Sequence, residues 1–262
     1  GYQNFEGKKL GFEVKNLLTR EGYSVRHATS REPTMGAAAV AKVRLLDRGV
    51  DIVITSDENN LWLGVTEAVQ PFEEQSKRDY ERPARDARRG MIPVQLARIL
   101  VNIARAETER MKRVSTASLL DPFCGGGTVL MEAALLGVPR LTGADLDPKA
   151  IHETENNLRW LWRAFAPNLK GRLEERVKLE TRDARQTPSK PEYDCIVTEP
   201  YLGAPVKGDL KAPEISARHA ELGALYRDTL KALAICLKPG GVIILTLPAY
   251  KLGGRFLEFP KA

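Results

Sequence analysis

An aspartate at the head of a glycine run is where this sequence first offers chemistry. Residues 121–128 read Asp121-Pro122-Phe123-Cys124-Gly125-Gly126-Gly127-Thr128, behind a short apolar run at 117–120 and ahead of residues 129–136. The first run predicts a buried strand and the second a helix stopped by Gly137. Strand, glycine turn and helix make a ligand loop. Glycine lets the backbone approach without a Cβ in the way, and a helix start presents N–H groups that have no internal acceptor. The spacing rejects two phosphate binders. A dinucleotide fingerprint needs a third glycine where Leu130 stands, and no Gly-Lys-Ser/Thr follows. Further acids close later apolar runs: Asp145, Asp183 and Glu199. Open α/β sheets carry ligands at the carboxyl ends of their strands, so these residues and Asp121 are expected to share one edge.

The ligand that such acids suit is a cation. A carboxylate at Asp121 would repel a phosphate and attract the sulfonium and ammonium of S-adenosylmethionine. Asp145, twenty residues beyond Gly125, is placed to take the two ribose hydroxyls. Asp147, in Asp-Pro-Lys-Ala, is expected to cap a helix, and Asp183 to accept from the adenine amine. The loop resembles the first motif of the amino-group methyltransferases, Asp-Pro-Phe-x-Gly-x-Gly-Thr. The resemblance implies cofactor-binding roles for Asp121, Pro122, Phe123, Gly125, Gly127 and Thr128. It also implies a reactive centre at the last acid, where that family carries Asp/Asn/Ser-Pro-Pro-Tyr/Phe/Trp and this chain has Glu199-Pro200-Tyr201-Leu202. Two registers fit. Without a gap, Glu199 replaces the aspartate and Tyr201 falls on the second proline. Shifted by one, Pro200-Tyr201 match and Thr198 takes the polar position. The ungapped register is preferred: Glu199, Pro200 and Tyr201 form the catalytic group, Glu199 accepting from the target amine and Tyr201 stacking on a base turned out of its helix.

The elements that must position these residues follow from periodicity. Residues 7–21 predict a helix with Leu10, Val14, Leu17 and Leu18 on one face, 23–28 a short strand, and 35–46 a second helix. Residues 51–55 and 61–69 predict strands around a polar turn. This small α/β unit resembles the C-terminal part of a THUMP domain, an RNA-binding module, through Gly22-Tyr23-Ser24-Val25-Arg26 and Leu63-Gly64-Val65-Thr66-Glu67-Ala68-Val69-Gln70. Residues 71–90 lack apolar period and hold Lys77, Arg78, Arg82, Arg85, Arg88 and Arg89 with Tyr80 among them. They predict an extended basic linker, with Lys77, Arg78, Arg82 and Arg85 suited to phosphate contact. A helix from Pro93 is expected to bury Ile92, Leu96, Ile99, Leu100 and Ile103. The phrases Ser76-Lys77-Arg78-Asp79-Tyr80 and Gly90-Met91-Ile92-Pro93-Val94-Gln95 resemble the segment joining THUMP modules to their methyltransferase domain. The resemblance implies that Met91 lies beside the methionine part of the cofactor.

From residue 117 onward strand and helix alternate, with strands at 117–120, 141–144, 177–180, 193–198 and 242–247 and a break at Lys238-Pro239-Gly240-Gly241. Alternation predicts a parallel sheet covered on both faces. The expected fold is therefore α/β: a Rossmann-like class I methyltransferase sheet at 93–262, after a partial THUMP-like domain at 1–71 and a linker at 72–92. The resemblance implies two further strands, for which 248–262 leave room for one at most, so the sheet is expected to lack its last strands. Across 262 residues, three cysteines and three histidines show no metal-ligand spacing, and no apolar run reaches a membrane span. A cytoplasmic monomer without metal is expected. A net charge of +6 points to a polyanionic partner. The resemblance is nearest the THUMP-linked tRNA guanosine N2-methyltransferases of the position-ten type, which implies tRNA as partner and S-adenosylmethionine as cofactor. The alternatives are a DNA amino-methyltransferase acting on adenine N6 or cytosine N4, and a non-catalytic RNA-binding protein with a degenerate methyltransferase fold.

Overall fold

The computed structural model describes residues 7–29, 35–57, 59–85, 90–111, 118–186, 190–206, 208 and 210–260. Arg88, Arg89 and Ala117 lie outside them. The chain divides into two compact units, Gly1–Glu74 and Gln75–Ala262.

The first unit holds α1 (Gly7–Arg20), α2 (Ala37–Lys42), α3 (Leu45–Arg48), β1 (Ile52–Ser56) and β2 (Leu61–Val65). The two strands pair antiparallel, Ile52 opposite Val65. Asp57 closes their turn by accepting from the N–H groups of Asn59 (2.8 Å) and Asn60 (2.7 Å). Two expectations change here. Residues 23–28 form no strand, because among the described residues no neighbour supplies a ladder for them. The second helix is broken at Arg44, whose φ of 54° leaves the right-handed helical region.

The second unit begins within α4 (Phe72–Tyr80), and the next helix among the described residues is α5 (Val94–Arg110). Then come β3 (Ser118–Asp121), α6 (Thr128–Leu135), β4 (Arg140–Asp145), α7 (Pro148–Ala164), α8 (Leu173–Arg176), β5 (Val177–Thr181), β6 (Tyr193–Thr198), α9 (Ala212–Cys236) and β7 (Leu237–Leu245). The sheet runs β5-β4-β3-β6-β7, with every neighbouring pair parallel. The chain steps outward from β3 to β4 and β5, then returns to β3's other side for β6 and β7. That reversal is a topological switch point, and it opens a crevice at the carboxyl ends of β3 and β6.

Leu119, Leu130, Met131, Leu141, Leu158, Leu161 and Val197 are closed to water and fill one face of the sheet. Each such side chain contributes about 1.5–3 kcal/mol through burial. Lys238–Gly241 does not precede β7 as expected but bulges inside it: pairing jumps from Tyr193–Leu237 to Cys195–Val242. Beyond the sheet, β8 (Tyr250–Leu252) and β9 (Arg255–Leu257) form a separate hairpin, turned by Gly253 and Gly254 at positive φ.

The extended surface linker expected ahead of α5 is corrected. Residues 72–80 are helical, and Arg78 is only 2% exposed. The cause is Glu132, fully buried in a largely apolar α6, which needs counter-charge. Arg78 Nε donates to it at 2.6 Å, and Arg98 Nη1 at 3.1 Å. The buried stripe of α5 is also rotated from the expected one. Val94, Ala97, Val101, Ala104 and Thr108 face inward with Leu100, while Ile99 and Ile103 are 54% and 45% exposed. The small Ala97 and Ala104 lie on the inner side.

Candidate active site

β3 ends in Asp121, and its carboxyl turns inward. Thr198 at the end of β6 donates its hydroxyl to Asp121 Oδ1 at 2.7 Å, and the Phe123 N–H donates at 3.2 Å. The two strand ends that flank the crevice are thus tied through their side chains. Burial pushes the Asp121 carboxyl up to about 7, with nearby Asp145 and Glu199 adding to the rise.

The loop that follows is fixed from several sides. Gly125 and Gly127 have φ of 49° and 80°, the left-handed region that glycine enters without strain. The two differ in their surroundings. A Cβ on Gly127 would meet Thr154 Cγ2 at 2.8 Å, whereas one on Gly125 would meet nothing within 4 Å. Gly127 is therefore packed from behind, and Gly125 faces open space. The Gly125 N–H donates to Asp145 Oδ2 (2.9 Å), and Thr154 Oγ1 donates to the Gly125 carbonyl (2.6 Å). Asp145 Oδ1 accepts from the Asp147 N–H at 3.0 Å, so Asp145 braces the loop and still offers the second lone pair of each oxygen. Asp147 caps α7 as expected, accepting from the Lys149 N–H at 2.8 Å.

The sequence reading missed Asn157. Its Nδ2 donates to the carbonyls of Gly126 (2.8 Å) and Ala84 (2.9 Å), and its Oδ1 accepts from the Ala84 N–H (2.9 Å). One amide thus joins the glycine loop to the segment between α4 and α5. Its signal was present: Asn157 shares the inward face of α7 with Thr154, Leu158 and Leu161, where a polar side chain needs partners.

That segment brings other expected residues to the loop. Arg82 is 4% exposed; its Nη1 donates to Thr128 Oγ1 at 2.6 Å and its Nη2 lies 3.0 Å from Met91 Sδ. Asp79, Tyr80, Arg82, Arg85, Met91, Ile92 and Pro93 line one hollow. Arg78 and Arg82 are therefore interior groups rather than the phosphate contacts expected of them. Lys77 and Arg85 stay exposed, and the Arg85 guanidinium lies 4.8 Å from the centre of the Tyr80 ring.

Pro122 is buried and Phe123 half-buried beside the loop. Asp183, expected to accept from the adenine amine, is paired with Arg185. Arg185 covers both its oxygens at 2.6–3.1 Å, a pairing that holds the carboxyl below its usual range.

At the end of β6, Thr198 is closed to water and committed to Asp121. Glu199 is half-buried, and burial raises its carboxyl above the usual range. Pro200 is buried and Tyr201 is 50% exposed. The backbone here is held from behind: Tyr226 Oη donates to the Tyr201 carbonyl at 2.7 Å, and Arg218 Nη1 to the Ala204 carbonyl at 2.7 Å. Tyr226 was another residue that sequence reasoning missed. Among the described residues no cluster of acids, histidines and cysteines could hold a metal ion, and no helix is long and apolar enough to cross a membrane.

A parallel sheet of this order, with an acid-headed glycine loop beside an acid-Pro-aromatic strand end, is a Rossmann-like class I methyltransferase fold. Residues 82–258, more than half of the chain, match the family described as RMKL-like, methyltransferase domain, and the chain belongs to that family. Over 161 residues it is 32% identical to a protein of Methanothermobacter thermautotrophicus named tRNA (guanine(10)-N2)-dimethyltransferase, covering 62% of this chain and 40% of that relative. A protein of the same name from Methanocaldococcus jannaschii is 34% identical over 119 residues, 43% of this chain and 29% of the relative. The chain thus matches less than half the length of either relative. The crystal structure of TrmN from Thermus thermophilus has a similar fold, with a TM-score of 0.51 at 22% identity over 98% of this chain and 67% of that one.

Proposed function

We propose that this chain binds S-adenosylmethionine and methylates the exocyclic N2 amine of a guanosine in tRNA, of the position-ten type. The observation that carries the reading is the pairing of Asp121 with Thr198 across the crevice. It commits the Thr198 proton to Asp121, whereas the Glu199 carboxylate receives no hydrogen bond among the described residues and is the stronger acceptor, which supports the ungapped register. The names of the two relatives support the choice of substrate.

The residues fit the cofactor. Asp121 would face its ammonium, Asp145 its ribose, and the open side of Gly125 would let its body approach the backbone. When bound, S-adenosylmethionine supplies an electrophilic methyl on sulfur. The protein's own work is orientation. Among the described residues nothing donates to the Glu199 carboxylate, so it can accept from the target amine and take the proton that amine loses. Guanine's amine is a poor nucleophile because its lone pair is conjugated with the ring. An acceptor there acts more on the transition state than on substrate binding. Tyr201, its carbonyl pinned by Tyr226, presents its ring to the base. Lys77 and Arg85 remain as phosphate contacts, and residues 1–71 are read as a partial THUMP-like RNA-binding domain.

Nucleoside mass spectrometry after incubating tRNA and, separately, DNA with the protein and labelled cofactor tests this. Label on N2-methylguanosine is expected. Label only on DNA bases would replace the substrate, and absence of label from every nucleic acid would leave the non-catalytic alternative.

A further inference from the structure

Residues 1–74 carry nine Lys and Arg against eleven Asp and Glu, so the chain's net charge of +6 arises within residues 75–262. The second unit therefore holds the charge that draws a polyanion. Two of its cations stand on the hairpin β8–β9, and the position of that hairpin is informative.

The chain leaving β7 runs along the reactive strand end. The Thr246 N–H donates to the Thr198 carbonyl at 3.4 Å, and Tyr250 Oη lies 3.5 Å from the Leu202 carbonyl oxygen. Residues 246–250 thus lie beside 198–202, and the hairpin starts at the rim of the crevice. Its base is fixed on α9. The His219 ring centre is 5.4 Å from that of Tyr250 and 5.1 Å from that of Phe259, and Phe259 meets Tyr226 at 5.2 Å. Tyr226 is the residue that holds the Tyr201 carbonyl. One aromatic group therefore supports both the hairpin and the strand end that carries Glu199.

The pleat sorts the hairpin's side chains. Tyr250 is 7% exposed and marks the inward face; Lys251 and Phe256, directly opposite each other, occupy the outward one. Phe256 is 71% exposed, and Lys251 and Arg255 are exposed with it. Opposite residues hold their Cβ atoms about 4.5–5.5 Å apart, so ring and ammonium stand side by side. A Cβ on Gly253 or Gly254 would meet nothing within 4 Å, so the turn projects into open space. A single exposed phenylalanine is ordinary. A ring flanked by two cations, on a braced hairpin at the rim of a nucleotide site, offers a face for a base and charge for phosphates.

We infer that β8–β9 is an RNA contact: Phe256 stacks on a base flanking the target nucleotide, and Lys251 and Arg255 hold the phosphates beside it. The inference rests on the RNA-methylation reading and adds a docking surface to it.

Binding of a tRNA transcript with guanosine at position ten, measured at several salt concentrations alongside kcat and KM, tests it. Phe256→Ala should weaken binding about 5–100-fold, the scale of one base stacked on an aromatic ring, with the salt slope unchanged. Phe256→Tyr should keep most of the affinity. Lys251→Ala with Arg255→Ala should flatten the slope by about 0.7–0.9 for each phosphate released. In these variants KM for tRNA should rise while kcat and S-adenosylmethionine affinity stay nearly unchanged. Thermal melts report whether each variant is folded. Ultraviolet crosslinking of the native chain to the transcript should recover a peptide spanning 251–257 whether or not any variant folds. Native affinity and salt slope in a folded triple alanine variant overturn the assignment and leave the methylation reading intact. A native dimer that Phe256→Ala turns into a monomer, with tRNA binding undiminished, gives the face to a second copy of the chain instead. A native chain that neither binds nor methylates tRNA removes the substrate reading and this contact with it.

Discussion

Asp121 holds a proton where a carboxylate would ordinarily have lost it. Its carboxyl sits at about 7 against a usual 3.8, chiefly because burial penalises the charge. Between those values the folded chain binds a proton that the unfolded chain has released. Asp121 therefore favours folding most below about pH 4, and that contribution declines as pH rises to about 7. An ammonium against it needs the ionised form, so cofactor binding should expel a proton. Affinity should climb as pH rises towards 7 and level off above it. Calorimetry in buffers of different ionisation enthalpy measures the proton released, and Asp121→Asn should abolish both effects. Glu199→Gln should behave otherwise, lowering turnover by at least 100-fold with cofactor affinity nearly unchanged. Full turnover in that variant would move the acceptor role away from Glu199.

At the level of elements, the hidden ion network has the largest consequence. Glu132→Ala strands Arg78 in the interior and should cost about 3–5 kcal/mol of stability, read from denaturant midpoints. Gly127→Ala should lose stability through both its backbone angle and the 2.8 Å approach to Thr154. The sheet, the loop and the strand-end acids could be read directly from residues 118–245, because parallel strands are continuous apolar runs and their ends announce ligands. The segment 75–93 could not. Its charges resembled a solvated face because their partners lie far along the chain, Glu132 being 54 residues from Arg78 and Thr128 being 46 from Arg82. The apolar face of α5 misled for a related reason. Ile99 and Ile103 are larger than Ala97 and Ala104, yet the small residues are the buried ones.

For the whole molecule, a net charge of +6 is consistent with tRNA as a partner, but the usable cations are fewer than the basic run contains. Replacing Lys77 and Arg85 by alanine should weaken RNA binding. It should also flatten the dependence on log salt by about 0.7–0.9 for each phosphate no longer neutralised. Replacing Arg78 should lower the melting temperature instead. The reversal of strand order about β3 also bears on how the chain reaches this state. β3 meets β4 across a short stretch of sequence, Leu119 opposite Leu141, but meets β6 only after some 76 residues, Leu119 opposite Cys195. Closing the longer loop costs more chain entropy and should come later. Pulse-labelled hydrogen exchange during refolding should protect Leu141–Ala144 before Cys195–Val197. The loop that receives the cofactor would then be built first, and Glu199, the acid proposed to face the substrate, would join it later in folding.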